Sequence, residues 1–360
     1  MYPLLFKPNL RPVIWGGQRL MTWKNLSSTY GISYAQDDSH NIITEDIPIG
    51  ESWEVSCIPQ AVSIIANGKW KDMKLDDVIR SFPEQILGND VVKHYGATLP
   101  LLAKFIDAEH DLSVQVHPDD AMAERLHGKR GKSEMWYIID AKPGAYLYAG
   151  FKENLTKEEY NRRIADGSIC DVMARHEVHT GDVFYLPAGR IHAICSGIML
   201  AEIQQASDLT YRIYDYDRRD IDGNKRVLHT ELASEALDYE VLSEYRTIYT
   251  DDMQRANPCI DSPFFSVRIV DFEGSFHRNL KKYGSFIISM CLQGDCLIKI
   301  RSTQDGVILR EGHTCLIPAE IADYDVIPIG KKTKLLDAFI DNRERSILSA
   351  ASRFLHLATK

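Results

Sequence analysis

Three short stretches carry side chains capable of metal chemistry at useful spacings. Residues 111–120 read Asp-Leu-Ser-Val-Gln-Val-His-Pro-Asp-Asp. Side chains alternate along a strand, so Ser113, Gln115 and His117 share one face while Leu112, Val114 and Val116 share the other. A wholly polar inner face makes a poor core, but it suits a wall around a metal and a sugar. Residues 131–136, Gly-Lys-Ser-Glu-Met-Trp, lead into Tyr137-Ile138-Ile139 and place Lys132, Glu134 and Trp136 on one face, ammonium beside carboxylate. In residues 186–192, Leu-Pro-Ala-Gly-Arg-Ile-His, a turn delivers His192 into a new strand. Two imidazoles, the Glu134 carboxylate and the Gln115 amide oxygen make a nitrogen and oxygen shell without thiolate. Zinc accepts such a set when it must also hold water or substrate. His110, His127 and His176 lack comparable company and are taken as surface or hydrogen-bonded residues.

The elements that must position these groups are mostly strands. From Gly96 to about Asp220 the chain consists of short alternating or β-branched runs separated by Gly, Pro and Asp, the pattern of antiparallel strands. Apolar residues at helical spacing over 73–87, interrupted by Pro83, predict one helical insertion, and Thr156 with Glu159 in a Ser/Thr-x-x-Glu arrangement predicts a second over 156–167. A third helix is expected from Thr230 to about Tyr239. Residues 241–262 are mixed and polar, and the β pattern returns over 264–270, 285–292 and 297–301. The expected domains are therefore an N-terminal catalytic unit (1–240), a linker (241–262) and a C-terminal unit (263–360).

An internal echo supports two related β-units. Residues 181–192 read Gly-Asp-Val-Phe-Tyr-Leu-Pro-Ala-Gly-Arg-Ile-His, and residues 312–323 read Gly-His-Thr-Cys-Leu-Ile-Pro-Ala-Glu-Ile-Ala-Asp. Both give Gly, five residues and Pro-Ala, but only the first copy ends in His.

Bulk properties exclude several classes. A chain of 360 residues exceeds one ordinary core. The net charge of −9 argues against general nucleic-acid binding or adsorption to anionic membranes. The N-terminus lacks a signal-peptide pattern, and no apolar run approaches the roughly 18 residues of a membrane helix. Seven scattered cysteines without a Cys-x-x-Cys pair point to free thiols and a cytoplasmic setting.

The stretch Gly181-x5-Pro187-Ala188-Gly189-x2-His192 resembles the second motif of cupin barrels. Ser113-Val-Gln-Val-His-Pro-Asp119, Lys132-Ser-Glu-Met-Trp136, Pro187-Ala-Gly-Arg-Ile-His192 and Glu202-Ile-Gln-Gln-Ala-Ser-Asp-Leu-Thr-Tyr-Arg212 together resemble type I mannose-6-phosphate isomerase, short bacterial branch. Trp15-Gly-Gly17 and Gly50-Glu-Ser-Trp-Glu54 add to the likeness. The motifs run in order across residues 11–220.

The resemblance implies a mainly β protein of two cupin-like, jelly-roll barrels with short helical insertions, the second degenerate and without metal. It further implies a zinc-dependent aldose-ketose isomerase interconverting mannose 6-phosphate and fructose 6-phosphate through an enediol. Zinc, one per chain, would be held by Gln115, His117, Glu134 and His192, with Arg212 as catalytic arginine. Lys132 and Glu202 join the catalytic candidates, and Ser113, Lys132 and Arg190 the substrate-binding ones. Lys132, Arg190 and Arg212 remain open as phosphate partners, and Glu202, Glu51 and Glu54 as the base. Trp15, Trp53 and Trp136 are stacking surfaces or core. The expected partner is a small sugar phosphate, with no nucleic acid or membrane, on a monomer or weak homo-oligomer. Two rivals stand beside this: an iron or manganese dioxygenase, disfavoured by Gln115 where such sites place a His, and a non-enzymatic sugar sensor, which would not need Lys132 and Arg212 beside a metal shell.

Overall fold

Period-2 alternation dominates, and strand outweighs helix, 41% to 20%, so the mainly β expectation holds. The computed structural model describes residues 1–26, 48–219 and 223–341. The strands pair into three sheets, each an open path, and no closed barrel forms among the described residues. Strand pairing therefore bears out the mainly β class without bearing out two closed barrels.

By compactness the chain divides into two units that do not follow chain order. One comprises residues 8–53 and 102–247, the other residues 1–7, 54–101 and 248–360. The expected serial division at 241–262 differs from this in two ways. Residues 54–101, with the helices expected near 73–87, group with the C-terminal sheet, and part of the supposed linker is the strand Arg255–Asp261.

The first unit carries the polar faces. Its five-stranded sheet runs Tyr211–Tyr214, Val114–Val116, His192–Ile194, Tyr146–Phe151, Met173–Glu177; its six-stranded sheet runs Leu10–Gly17, Ile49–Val55, Leu101–Ala108, Ile198–Gln205, Glu134–Ala141, Val183–Leu186. Trp136, Ile138 and Leu200 of the larger sheet share one buried cluster with Leu147, Ala149 and Ile194 of the smaller. The sheets therefore face each other, and each such side chain fully buried contributes roughly 1.5–3 kcal/mol. Helix Lys157–Ala165 begins as its cap predicts, with Thr156 Oγ1 accepting from the Glu159 amide at 3.1 Å, although the Glu159 carboxylate pairs with Arg162 and Arg163. Helix Thr230–Ala236 appears where expected, ending three residues early.

In the second unit, the order is Leu4–Leu5, Thr314–Ile317, Ile287–Ile300, Asp323–Phe339, Ser266–Phe272, Arg255–Asp261. Pro83 splits the predicted helix into Leu75–Ser81 and Pro83–Leu87, because it lacks the amide a continuous helix needs, and Asn89–Tyr95 follows. Gly88 joins the last two; at φ +95 its added Cβ would lie 1.9 Å from the Gly284 carbonyl, so no other residue fits. Among the described residues no helix is long and apolar enough to cross a membrane.

Candidate metal centre and its cavity

Strand register assembles the centre. His192 is the cross-strand partner of Gln115, and Gln115 is the partner of Arg212. Directly paired residues point to the same face, so these three form one row on the smaller sheet. On the opposing sheet Glu134 pairs with Gln204 and Leu186, and Trp136 pairs with Glu202. The expected alternation is thus realised on both walls.

His117, Glu134 and His192 are buried, and their ligand atoms all lie within 4.8 Å of one another. His117 Nε2 is 3.3 Å from Glu134 Oε2, and His192 Nε2 is 3.2 Å from Glu134 Oε1. Backbone contacts fix the tautomers. His117 Nδ1 lies 2.9 Å from the Leu209 carbonyl and His192 Nδ1 lies 2.8 Å from the Arg190 carbonyl, so each Nδ1–H donates outward and each Nε2 presents its lone pair inward. Burial foremost, with the Lys132 ammonium, holds both rings neutral: His117 is pushed down to about 3, and His192 is lowered too. Burial works to raise the Glu134 carboxyl, but the Lys132 ammonium beside it prevails and keeps it ionised.

Imidazole lone pairs therefore face carboxylate oxygens with no proton between them; Glu134 Oε1 has no hydrogen-bond partner, and Oε2 is met only by the Lys132 ammonium. Acceptor against acceptor at 3.2–3.3 Å is repulsive without a cation. Lys132 supplies part of one: Nζ lies 2.9 Å from Glu134 Oε2 and 3.1 Å from His117 Nε2. The donor set fits a divalent metal with an open position. Gln115 lies beside it, with its amide nitrogen 3.2 Å from His192 Nε2. A half-turn of that amide presents its oxygen instead.

A cavity of about 370 Å³ lies beside this centre, with Gln115 and Lys132 in its wall. Ser113, Gln115, Lys132, Glu202 and Arg212 line it, as the sequence led us to expect. Glu51 lines it too, whereas Glu54, an odd number of residues away on the same strand, does not. Arg190 is not brought to the cavity. Its guanidinium lies 3.4 Å from the Glu240 carbonyl, 3.6 Å from Asp238 and over the Tyr245 ring, because the turn before His192 does not follow strand alternation. Trp136 is core: fully buried, edge-on to His192, and donating Nε1–H to Glu202 at 3.0 Å. Trp15 both packs in the core and lines the cavity, and Trp53 donates to Glu51 at 2.5 Å.

Several cavity residues escaped the sequence analysis. Lys104 is buried, 3.1 Å from Glu202 and 3.7 Å from Glu51. Burial opposes its charge, but Glu202, Glu51 and Glu134 raise its affinity for the proton. Burial and Glu134 in turn push the Glu202 carboxyl up, against Lys104. A charge inside the otherwise apolar run Leu-Leu-Ala-Lys-Phe-Ile was the available signal. Arg226 and His229, also lining the cavity, had none.

Comparison with known proteins agrees with this geometry. The family model described as "Phosphomannose isomerase type I, catalytic domain" matches residues 5–151. A Streptococcus mutans mannose-6-phosphate isomerase is 33% identical over 89% of the chain and 94% of its own length. A probable mannose-6-phosphate isomerase from Bacillus subtilis is 33% identical over 90% of the chain and 96% of its own. The crystal structure of a Bacillus subtilis mannose 6-phosphate isomerase superposes with a TM-score of 0.80 at 29% identity, covering 94% of this chain and all of that one.

Proposed function

The chain belongs to the type I phosphomannose isomerase family, and from that premise we propose that it interconverts mannose 6-phosphate and fructose 6-phosphate using zinc held by Gln115, His117, Glu134 and His192. The observation that carries the metal is the convergence of two inward imidazole lone pairs on a buried carboxylate whose Oε1 has no hydrogen-bond partner. Zinc suits this nitrogen and oxygen set, and when bound it supplies positive charge beside the sugar oxygens.

The rest is the work of the chain. Aldose-ketose isomerisation moves a proton between C1 and C2 through an enediol, and the oxygen that was the carbonyl gains negative charge on the way. Arg212 stays protonated and lines the cavity in the same cross-strand row as Gln115 and His192, so its role is to stabilise that charge. Its Nη1–H donates to the Val227 carbonyl at 2.9 Å, which orients the guanidinium. Lys132 orders Glu134 and adds a second cation. Glu202 is the candidate for proton transfer: it lines the cavity, and its raised proton affinity suits a group that must both accept and release a proton. Ser113 offers a hydroxyl to the sugar. The two facing sheets of this unit are taken as a jelly-roll cupin and the C-terminal sheet as its degenerate relative without a metal. The enzyme is proposed to act in the cytoplasm, on a free sugar phosphate, as a monomer or weak homo-oligomer.

A coupled assay for fructose 6-phosphate formation, with metal analysis of the same sample, tests this. We expect stoichiometric zinc and turnover in the wild type, loss of both in His192→Ala, and loss of turnover alone in Arg212→Ala. Stoichiometric iron with oxygen uptake, or a metal-loaded chain without turnover, would overturn it.

A further inference from the structure

We infer that Arg226, held in place by Asp215, is the binding residue for the substrate's phosphate group. The inference rests on the isomerase activity proposed above and deepens it by assigning the end of the cavity that takes the dianion.

The charges lining the cavity are unevenly matched. Lys104 is answered by Glu202 and Glu51, Lys132 by Glu134, and Asp208 by Lys129 at 2.7 Å. Arg212 and Arg226 remain. Arg226 grips Asp215 by one edge, Nε to Oδ2 at 2.8 Å and Nη2 to Oδ1 at 2.5 Å. The same carboxylate accepts from Arg218 Nη2 at 2.5 Å. One buried negative charge thus serves two guanidiniums. Arg212 donates to a carbonyl, and its Nε, buried, has no hydrogen-bond partner. Two arginines, one carboxylate and the Arg212 guanidinium leave this wall with an excess of positive charge in a partly desolvated place, where an anion is held more strongly than in water.

Geometry preserves that excess for a ligand. The strand Tyr211–Tyr214 ends in Asp215, and Tyr216 and Asp217 both adopt φ near +54, a conformation costly for residues with side chains. Arg219 and Lys225 form an antiparallel bridge, and Arg226 lines the cavity. Because Asp215 occupies only the Nε and Nη2 edge, donors remain on Arg226 for a phosphate oxygen. The metal centre and Lys132 stand beside Gln115, and Arg212 lies next in that row, so an open-chain sugar with its reactive carbons at the metal directs its far end toward Arg226.

The test uses full-length, zinc-loaded enzyme with mannose 6-phosphate as substrate and inorganic phosphate as competitive inhibitor. In Arg226→Ala, KM and the phosphate inhibition constant should rise in parallel, by roughly 10- to 100-fold, the range for losing a hydrogen bond to a charged group. The turnover number should stay within about threefold. Arg226→Lys should recover part of the loss. Asp215→Asn should move the same two constants by less, since it acts through Arg226. If Arg226→Ala does not fold, Arg226→Gln, whose amide still donates to Asp215, replaces it. A folded variant whose phosphate inhibition constant equals the wild-type value would overturn the assignment while leaving the isomerase activity standing. Wild-type enzyme that binds phosphate through Arg226 but shows no isomerisation would overturn the activity and, with it, the identity of the ligand as substrate.

Discussion

The two echoing segments fold alike and differ in what they enclose. In the first, Gly181 leads into strand Val183–Leu186, Pro187 turns the chain, and His192 opens strand His192–Ile194. In the second, Gly312 leads into Thr314–Ile317, Pro318 turns the chain, and Asp323 opens Asp323–Phe339. Pairing extends the match: Leu186 faces Glu134, and its counterpart Ile317 faces Ile287. So Glu134 corresponds to an isoleucine buried in an apolar cluster, and His192 corresponds to an exposed aspartate bonded to His277 at 2.6 Å. The same backbone plan serves chemistry in one place and cohesion in the other, and two positions account for much of that difference.

Breaking the comparison begins with its most unequal pair. His192→Ala should remove the metal and lower turnover by at least 10³-fold, since neither neutral partner nor water replaces a buried ligand; Asp323→Ala should leave the coupled assay unchanged, because an exposed pair contributes little. Arg212→Ala should lower kcat by about 10²- to 10³-fold with zinc retained by elemental analysis, the cost of one transition-state donor. Ile287→Glu, which writes the first copy's carboxylate into the second, should cost about 3 kcal/mol or more in urea unfolding, because no His117, His192 or Lys132 stands there to compensate. Asp323→His should accordingly gain no zinc.

Acid supplies a finer contrast. His117 and His192 have lowered affinity for protons when folded, so on acidification the unfolded chain takes up protons that the native site refuses. The stability they contribute to the metal-free protein is complete above about 6.5 and is lost as pH falls toward the His117 value of about 3. Denaturation midpoints of metal-free protein should fall between pH 7 and pH 5, and the fall should shrink in His117→Gln. A wild-type profile flat over that interval would contradict the neutral, inward-facing imidazoles.

What the chain revealed in advance follows from which interactions are local. Strand alternation alone put Gln115 with His117 and Lys132 with Glu134, and a Pro-Ala-Gly turn announced His192. Helices with a cap or a breaking proline were legible at Thr156 and Pro83 for the same reason. Arg190 misled because a turn residue obeys no period, and its side chain went to Asp238 and Glu240. Lys104 and Arg226 were missed because their positions depend on which strands become neighbours and on a reversal after Asp215. The grouping of residues 54–101 with the C-terminal sheet was hidden likewise, since compactness is decided by packing across the fold rather than by order along the chain.

The row formed by His192, Gln115 and Arg212 has a consequence for ancestry. Side chains alternate along each strand, so deleting or inserting one residue in any of these strands would carry its functional side chain from the cavity into the apolar layer in a single event. A lineage can therefore lose such a centre abruptly by a register shift while keeping its sheets. Indels within residues 114–116, 192–194 and 211–214 should be absent from active descendants of this chain.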